Sequence, residues 1–452
     1  MSGGPTALPA GAAAPAQLRR TLTYYDLVIY GLAYVAPFAP LQTVGFVWKA
    51  SNGLIVLAYV LGAVCMYFTA KSYAVMTETV TSAGSVYGFA RHALGPFAGF
   101  IAGWMVLLDY LLIPAYIYVS MAVAMSDLVP QVDRGVWITL LCGATLAINW
   151  FGVTVTSRVN LLSVGLQLFF IGGLMVLALV ALYAGKGNGG LTLQPLYASG
   201  LFHAQGIFTA TSICVMSFLG FDAISTLGEE VKGNDKRVLG RAIVSVLILS
   251  AALFVFVSWV LGDLMNGFEF HDLAAAPYEL SRWAIGPWAA VVLAWAVAII
   301  IGFSNALPMQ VGVARVLFAM GRDRQLPHAL AALHPKYGTP YVGMLVTAAI
   351  SLAVAIAFRL NVDELVSLVN FGALSAFLLL HVSVIVLFWF RGRSGRWLTH
   401  LAVPLAGIAV VLAVMSGMSE LAMTIGVVWL IAGLAYGIVL RKRSRDALTL
   451  DA

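Results

Sequence analysis

Phe218-Leu219-Gly220-Phe221-Asp222-Ala223 sets a carboxylate two residues after a glycine, inside a stretch otherwise apolar enough to cross a bilayer. A carboxylate at that depth costs at least ~2.5 kcal/mol, so a chain that keeps one there has a partner, a proton path or a ligand for it. The pattern predicts a transmembrane helix broken at Gly220, with a binding site at the break. Broken helices with polar groups at bilayer depth are a recurring way for membrane proteins to hold small solutes.

The rest of the chain agrees with a membrane setting. Of its 452 residues 61% are hydrophobic and 10% charged, with a mean hydropathy of +0.95. A water-soluble domain carries nearer ~25% charged residues. Each helical span takes roughly 20 apolar residues. Twelve segments qualify, near 26-48, 54-76, 95-126, 134-151, 157-185, 205-228, 238-264, 284-312, 341-358, 363-390, 397-417 and 419-440. The expected fold is an all-α membrane protein of twelve transmembrane helices, with no room for a sizeable soluble domain.

Residues 1–20, rich in Gly, Ala and Pro, lack the apolar core of a signal peptide and read as a disordered cytoplasmic tail. Residues 441–452 read as a short basic tail. Cys65, Cys142 and Cys214 all fall inside spans and indicate no disulfide framework. With the N-terminus cytoplasmic, 20 of the 25 Lys and Arg lie on the cytoplasmic side, leaving Lys49, Arg134, Lys186, Arg282 and Arg359 outside. The net charge of +6 is thus a topology signal, and its dispersal along one face gives no reason to invoke nucleic acid. An inner-membrane protein with both termini cytoplasmic is the expectation. Nine acidic residues on the outer side, among them Asp127, Asp263 and Asp272, attract cations weakly there.

Spans one to five (about 26-185) and six to ten (about 205-390) have similar layouts, followed by trailing helices at 397-440. Each half opens with an interrupted helix. In the first, Gly31 to Pro37 runs into Pro40-Leu41-Gln42-Thr43-Val44-Gly45, where two prolines remove amide donors and glycines loosen the backbone. The third and eighth spans are both unusually long, which implies tilt. Five is odd, so the second half enters the bilayer from the opposite side. An inverted repeat with its two breaks meeting near the midplane follows from this layout alone.

From Phe218 to Glu230 the chain resembles the sixth helix of the amino acid, polyamine and organocation (APC) transporter superfamily, and more closely its bacterial putrescine importers. Similar segments are Gly31-Leu32-Ala33-Tyr34 with Pro37, Gly103-Trp104 with Leu107-Leu108-Asp109-Tyr110-Leu111, Met320-Gly321-Arg322-Asp323, and Asn370-Phe371-Gly372-Ala373. The resemblance spans about residues 20–440 and is specific for the superfamily, much less so for the substrate. It implies a LeuT-like five-plus-five inverted repeat with two trailing helices, and alternating access driven by protons. Two departures bear on the substrate. Amino-acid permeases of the superfamily carry a Gly-Ser-Gly-type run at the first break, whose free amides take the substrate carboxylate, whereas here it reads Tyr34-Val35-Ala36-Pro37. That leans toward a substrate without a carboxylate, such as a diamine. Against it, the polyamine importers have an acidic residue near the place of Gln42. Where some cationic amino-acid members hold a fifth-helix lysine, this chain has Gln167, which leaves a membrane carboxylate as the simplest proton carrier.

Asp109, halfway along the third span, shares a helix face with Met105, Leu112, Ile113 and Tyr116. With Tyr110 or Tyr116 it suits an ammonium group; the plainer alternative is an interhelical hydrogen bond. Asp222 suits the other ammonium end or a coupling proton, or else caps the inner half-helix. Ala36, Pro37 and Gly220 mark the breaks, and Ser217 and Phe218 precede the second. Phe221, Trp104 and Trp295 read as pocket walls or as packing residues, and Asn370, Ser304 and Asn305 as polar contacts between helices. His381 reads as packing more than as a relay, and the scattered histidines give no metal site. Gly185 to Gly190 lacks the context of a phosphate loop and reads as a flexible outer loop. Glu229 to Lys232 with Asp235-Lys236-Arg237 reads as a solvated inner linker.

No nucleophile with a paired base stands out, so an enzyme is not expected, and no cofactor is implied. The leading reading is a proton-coupled importer of a small organic amine. Its rivals are an amino-acid permease of the same fold and a sensor that binds without transport. The sequence leaves the oligomeric state open.

Overall fold

Thr23 starts the first helix. Its hydroxyl accepts from the Asp26 amide at 3.4 Å while its own amide donates to the Asp26 carboxylate at 2.9 Å, a reciprocal cap. The computed structural model describes residues 22–80, 85–151, 157–228, 230–232, 235, 237–322 and 325–443. The expected tails, 1–20 and all of 441–452 beyond residue 443, lie outside the described residues, as do Glu229, Lys236 and Asp323.

The described elements are helical, apart from one isolated bridge between Leu22 and Val231. In order they are α1 (Tyr24–Val35), α2 (Ala39–Ala50), α3 (Ile55–Thr79), α4 (Ser85–Leu94), α5 (Pro96–Leu128), α6 (Arg134–Trp150), α7 (Ser157–Tyr183) and α8 (Ala204–Phe218), which gives way to a 3-10 segment, Phe221–Leu227. There follow α9 (Arg237–Met265), α10 (Ala276–Ala284), α11 (Pro287–Trp295), α12 (Gly302–Arg322), α13 (Tyr341–Ala357), α14 (Val362–Val384), α15 (Val403–Met415) and α16 (Glu420–Arg443). A π-helical segment, Ala296–Ile301, joins α11 to α12.

Taking α8 with its 3-10 segment (24 residues) and α15 with the π-helical turn Leu398–Ala402 before it (18 residues), nine of the described helical stretches are long and apolar enough to cross a membrane, and α1 with α2, bent by 46°, makes a tenth as a single broken span. α6 and α13, at 17 residues each, are a little shorter than these spans. Length and burial sort the others. The apolar stretch of α5 is 89% buried, against 17% for that of α16, so α5 runs through the middle and α16 faces outward. At 33 residues α5 is roughly 50 Å long, well beyond the ≈ 30 Å hydrocarbon core, as its unusual length in the sequence predicts.

Two short helices depart from the sequence expectation. The apolar periodicity of the long spans hides α4 and α10, which lie essentially between the expected spans. α4 packs on α5 and α14 at one end of the bundle. At the other end α10 packs on α2 and α7, and a Cβ on Gly45 would clash with the Leu273 carbonyl. Ion pairs fix this second end. Arg134 pairs with Asp272, and Arg282 with Asp127 at 2.7 Å.

The loop at Gly185–Gly190, expected to be flexible, is built onto α9 instead. Asp263, fully buried, accepts from Asn188 Nδ2 at 2.6 Å, Thr192 N at 2.8 Å and Thr192 Oγ1 at 2.5 Å, and Gly187 lies against its backbone. A buried carboxylate needs such donors, and the glycines allow the positive φ that brings them round. The linker after the 3-10 segment is likewise not simply solvated. Leu22 N donates to Glu230 O at 3.0 Å and Lys232 N to Leu22 O at 2.8 Å, which ties the start of α1 to the chain beyond the second break.

Candidate functional site

Pro37 ends α1. A residue before proline is pushed out of helical geometry, and Ala36 takes φ 57° and ψ 100°, a strained position for a residue with a Cβ. Proline also brings no N–H, and the amides of Phe38 and Ala39 bond elsewhere. The carbonyls of Ala33, Tyr34 and Val35 therefore receive no hydrogen bond among the described residues. In the second break Gly220, at φ +113°, turns α8 into the 3-10 segment. The two breaks meet there, with Gly220 packed on the backbone of Tyr34 and Val35.

A cavity of about 70 Å³ opens beside this crossing. One water needs ~10–15 Å³ on this measure, so the space holds several waters or a small ligand. The end of α1 (Tyr34, Val35, Ala36), the end of α8 (Met216, Leu219) and Ala39 with Gln42 of α2 form one side. Ile113, Tyr116 and Ile117 of α5 and Ser304, Asn305 and Met309 of α12 face them, with Ser163 of α7 between. Among the described residues no charged side chain lines it. Its polar lining is neutral, with Gln42, Ser163, Ser304 and Asn305 beside the unbonded carbonyls, while the Tyr116 hydroxyl is buried near Ser120. On the α10 side a separate cavity of about 10 Å³ lies between Phe38, Gln42, Ala274 and Tyr278, room for no more than one water.

The residues expected at the site separate into three groups. Ala36 and Tyr116 line the cavity, with Gln42, Ser304 and Asn305 beside them. Asp109, Tyr110 and Asp222 lie deeper, in a second polar layer. Asp109 sits one turn from Ile113 and is 6% exposed. The α14 backbone presses on it, since a Cβ on Gly372 would meet the Asp109 amide at 2.7 Å, and its Oδ1 has no partner. Asp222 accepts from the Tyr73 hydroxyl at 3.4 Å and lies beside the amides of Gly220, Asp222 and Ala223. The two carboxylates are within electrostatic reach of each other, and Tyr110 of both.

A third group is structural. Phe218 packs with Tyr59 and Phe254, and Phe221 with Tyr73 and Phe377, so neither ring walls the cavity. Trp295 is 51% exposed on the outside of α11 and is no pocket wall. Trp104 stacks on Trp429 with reciprocal bonds to backbone carbonyls. Ser217 lies near the Thr43 and Tyr59 hydroxyls, and Asn370 donates to Ser212 O at 2.5 Å. Pro37 is buried outside the cavity lining. His381 bonds Ser72 at 2.8 Å under Gly407, as a packing residue would.

Ser304 and Asn305 carried a readable signal that interhelical bonding obscured. Pro308 stands four residues after Ser304 within α12, and a proline there leaves the Ser304 carbonyl without its helical donor. The aliphatic lining, Ile113, Ile117 and Met309, carried none, because such residues fill every span.

An apolar helical bundle with a small polar cavity where two interrupted spans cross has the architecture of a membrane permease. Comparison with known proteins gives the family. The amino acid permease model matches residues 34–439, and the chain belongs to that family, within the APC superfamily. It is 31% identical over 436 residues, 95% of each chain, to the low-affinity putrescine importer PlaP of Escherichia coli. A branched-chain amino acid permease, BcaP, of Bacillus subtilis is 28% identical over 95% of this chain and 94% of its own. The methylthioribose transporter of the same species is 26% identical over 82% and 81%. The chain is a transporter and not an enzyme.

Proposed function

We propose that this protein is a secondary active transporter that imports a small organic amine, putrescine or a related polyamine, by alternating access coupled to protons. Counting the bent α1–α2 pair as one span and adding α6 and α13 gives twelve spans. In a five-plus-five inverted repeat α3 and α9 are equivalent, as are α5 and α12, and both pairs pack together. The positive-inside bias supports a cytoplasmic α4 end and cytoplasmic termini in an inner membrane, with α10 outside.

The observation that carries the substrate class is the polarity of the first break. A half-helix presents carbonyls at its C-terminus and amides at its N-terminus, which suit cations and anions respectively. Here the carbonyls of Ala33, Tyr34 and Val35 are unbonded beside the cavity, while the amide side has lost donors to Pro37 and Pro40. An ammonium finds acceptors at this break and a carboxylate finds few donors. Asp109 then supplies the counter-charge one turn below, and a proton or an ammonium relieves its repulsion with Asp222.

The test is uptake of labelled putrescine by reconstituted vesicles, acid outside and sodium absent. Competition by diaminoalkanes and not by amino acids supports the proposal, and strict sodium dependence overturns the coupling. A second reading, an amino-acid permease of the same superfamily, is favoured by the lack of any charged side chain in the cavity lining. Equal competition by neutral amino acids would establish it.

A further inference from the structure

The amide side of the first break is closed by a residue from another helix. Along Pro37 to Leu41 the two prolines have no N–H, Ala39 N donates to Ala36 O at 2.8 Å, and Leu41 N donates to Phe38 O at 3.2 Å. Phe38 N is left, and it donates to the side-chain carbonyl of Gln167 in α7 at 3.4 Å. Gln167 is 1% exposed, and its Nε2 is steadied by Ser163 Oγ at 3.3 Å, a residue of the cavity lining. Beside the cavity walls Ala36 and Ala39, therefore, the donor with which a helix N-terminus takes an anion is already occupied from within. The cavity is nonetheless polar in part, since Gln42, Ser163, Ser304 and Asn305 are among the residues that line it.

We infer that Gln167 is a specificity-determining residue: its side-chain carbonyl fills the anion position of the first break and thereby excludes substrates that carry a carboxylate. The inference rests on the amine reading of the site and adds the group responsible for the choice. Gln167 acts through the Phe38 amide and touches no transported ligand. Its neutrality matters, for a titrating residue there would make the selection depend on pH.

Putrescine and ornithine test this, since ornithine is the same diamine bearing one carboxylate. Binding of each is measured on the purified full chain, wild type against Gln167→Met, which keeps volume but removes the acceptor, and Gln167→Glu, which keeps an acceptor for Phe38 N. The expected result is a gain of about tenfold in ornithine affinity for Gln167→Met, the worth of one hydrogen bond to a charged group, with putrescine affinity little changed. Gln167→Glu should discriminate at least as strongly as wild type. Should Gln167→Met fail to fold, Gln167→Ala is read in the same way. An unchanged ornithine-to-putrescine ratio in a folded variant that still binds putrescine overturns the role of Gln167 and leaves the amine reading intact. Wild type that binds ornithine as tightly as putrescine, or binds neither, overturns the amine reading and the inference with it.

Discussion

A Cβ placed on Gly220 would lie 2.7 Å from both the carbonyl carbon and the oxygen of Tyr34, so the two interrupted spans touch backbone to backbone. That contact holds the end of α1 against the turn of α8 and puts the unbonded carbonyls of α1 beside the cavity. Gly220 also sits at φ +113°, where an L side chain is strained. Gly220→Ala should cost more than ~1 kcal/mol of stability and lose uptake, because backbone on both sides must move. Melting of the purified variant with uptake in vesicles checks both parts, and a variant with wild-type behaviour would show that the crossing is loose.

Tyr116→Phe separates a ligand role from a packing role. The hydroxyl makes no hydrogen bond and is buried, so its removal should leave stability unchanged or slightly raised. If a ligand uses it, amine affinity should fall by about fivefold, near ~1 kcal/mol. Titration of putrescine against both proteins, with melting curves, distinguishes the two roles.

Asp263→Asn should behave in the opposite way. Asp263 accepts three hydrogen bonds that hold residues 188–192 on α9, each short and charge-assisted. The expected loss is ~2 kcal/mol of stability, with amine affinity unaltered, because the residue lies outside the cavity lining. A change in affinity without a change in melting would contradict that assignment.

What could be read from the sequence divides along physical lines. The breaks at Ala36–Pro37 and Gly220 were legible because proline and glycine change the backbone whatever surrounds them, and the long third and eighth spans because apolar length is counted directly. Asp109 and Asp222 stood out because charge in a membrane is costly. The aromatic residues were not separable: Phe218, Phe221 and Trp295 have the same composition signal, yet two lie in the core and one faces outward. α4 and α10 escaped notice because short amphipathic helices between spans look like loops. Gln167 was visible as a departure from related chains, but its bond to Phe38 crosses 129 positions and depends on packing that no local pattern encodes.

Asp109→Asn tests the anchor for a substrate ammonium. The variant keeps the shape that packs against Gly372 but removes the charge, and Oδ1 has no partner in the protein to lose. Loss of a buried ion-pair partner should cost ~3 kcal/mol or more, thus over a hundredfold in amine affinity. Equilibrium binding of labelled putrescine measures it, and unchanged affinity would remove Asp109 from the site.

Asp222→Asn decides between coupling and capping. The carboxylate sits beside the amides of Gly220, Asp222 and Ala223 and accepts from Tyr73, which is what a cap on the 3-10 segment requires. It also lies within electrostatic reach of Asp109, which a proton-exchanging role would use. If coupling is its role, the variant keeps measurable binding, loses the pH dependence of transport, and retains counterflow exchange better than gradient-driven uptake. A cap alone predicts a lower melting temperature, with pH-dependent accumulation intact in whatever protein folds. Both quantities come from one preparation, the melting curve and the ratio of counterflow to net uptake. Normal pH-dependent accumulation by Asp222→Asn would rule out the coupling role and leave Asp109 as the carboxylate to test for it.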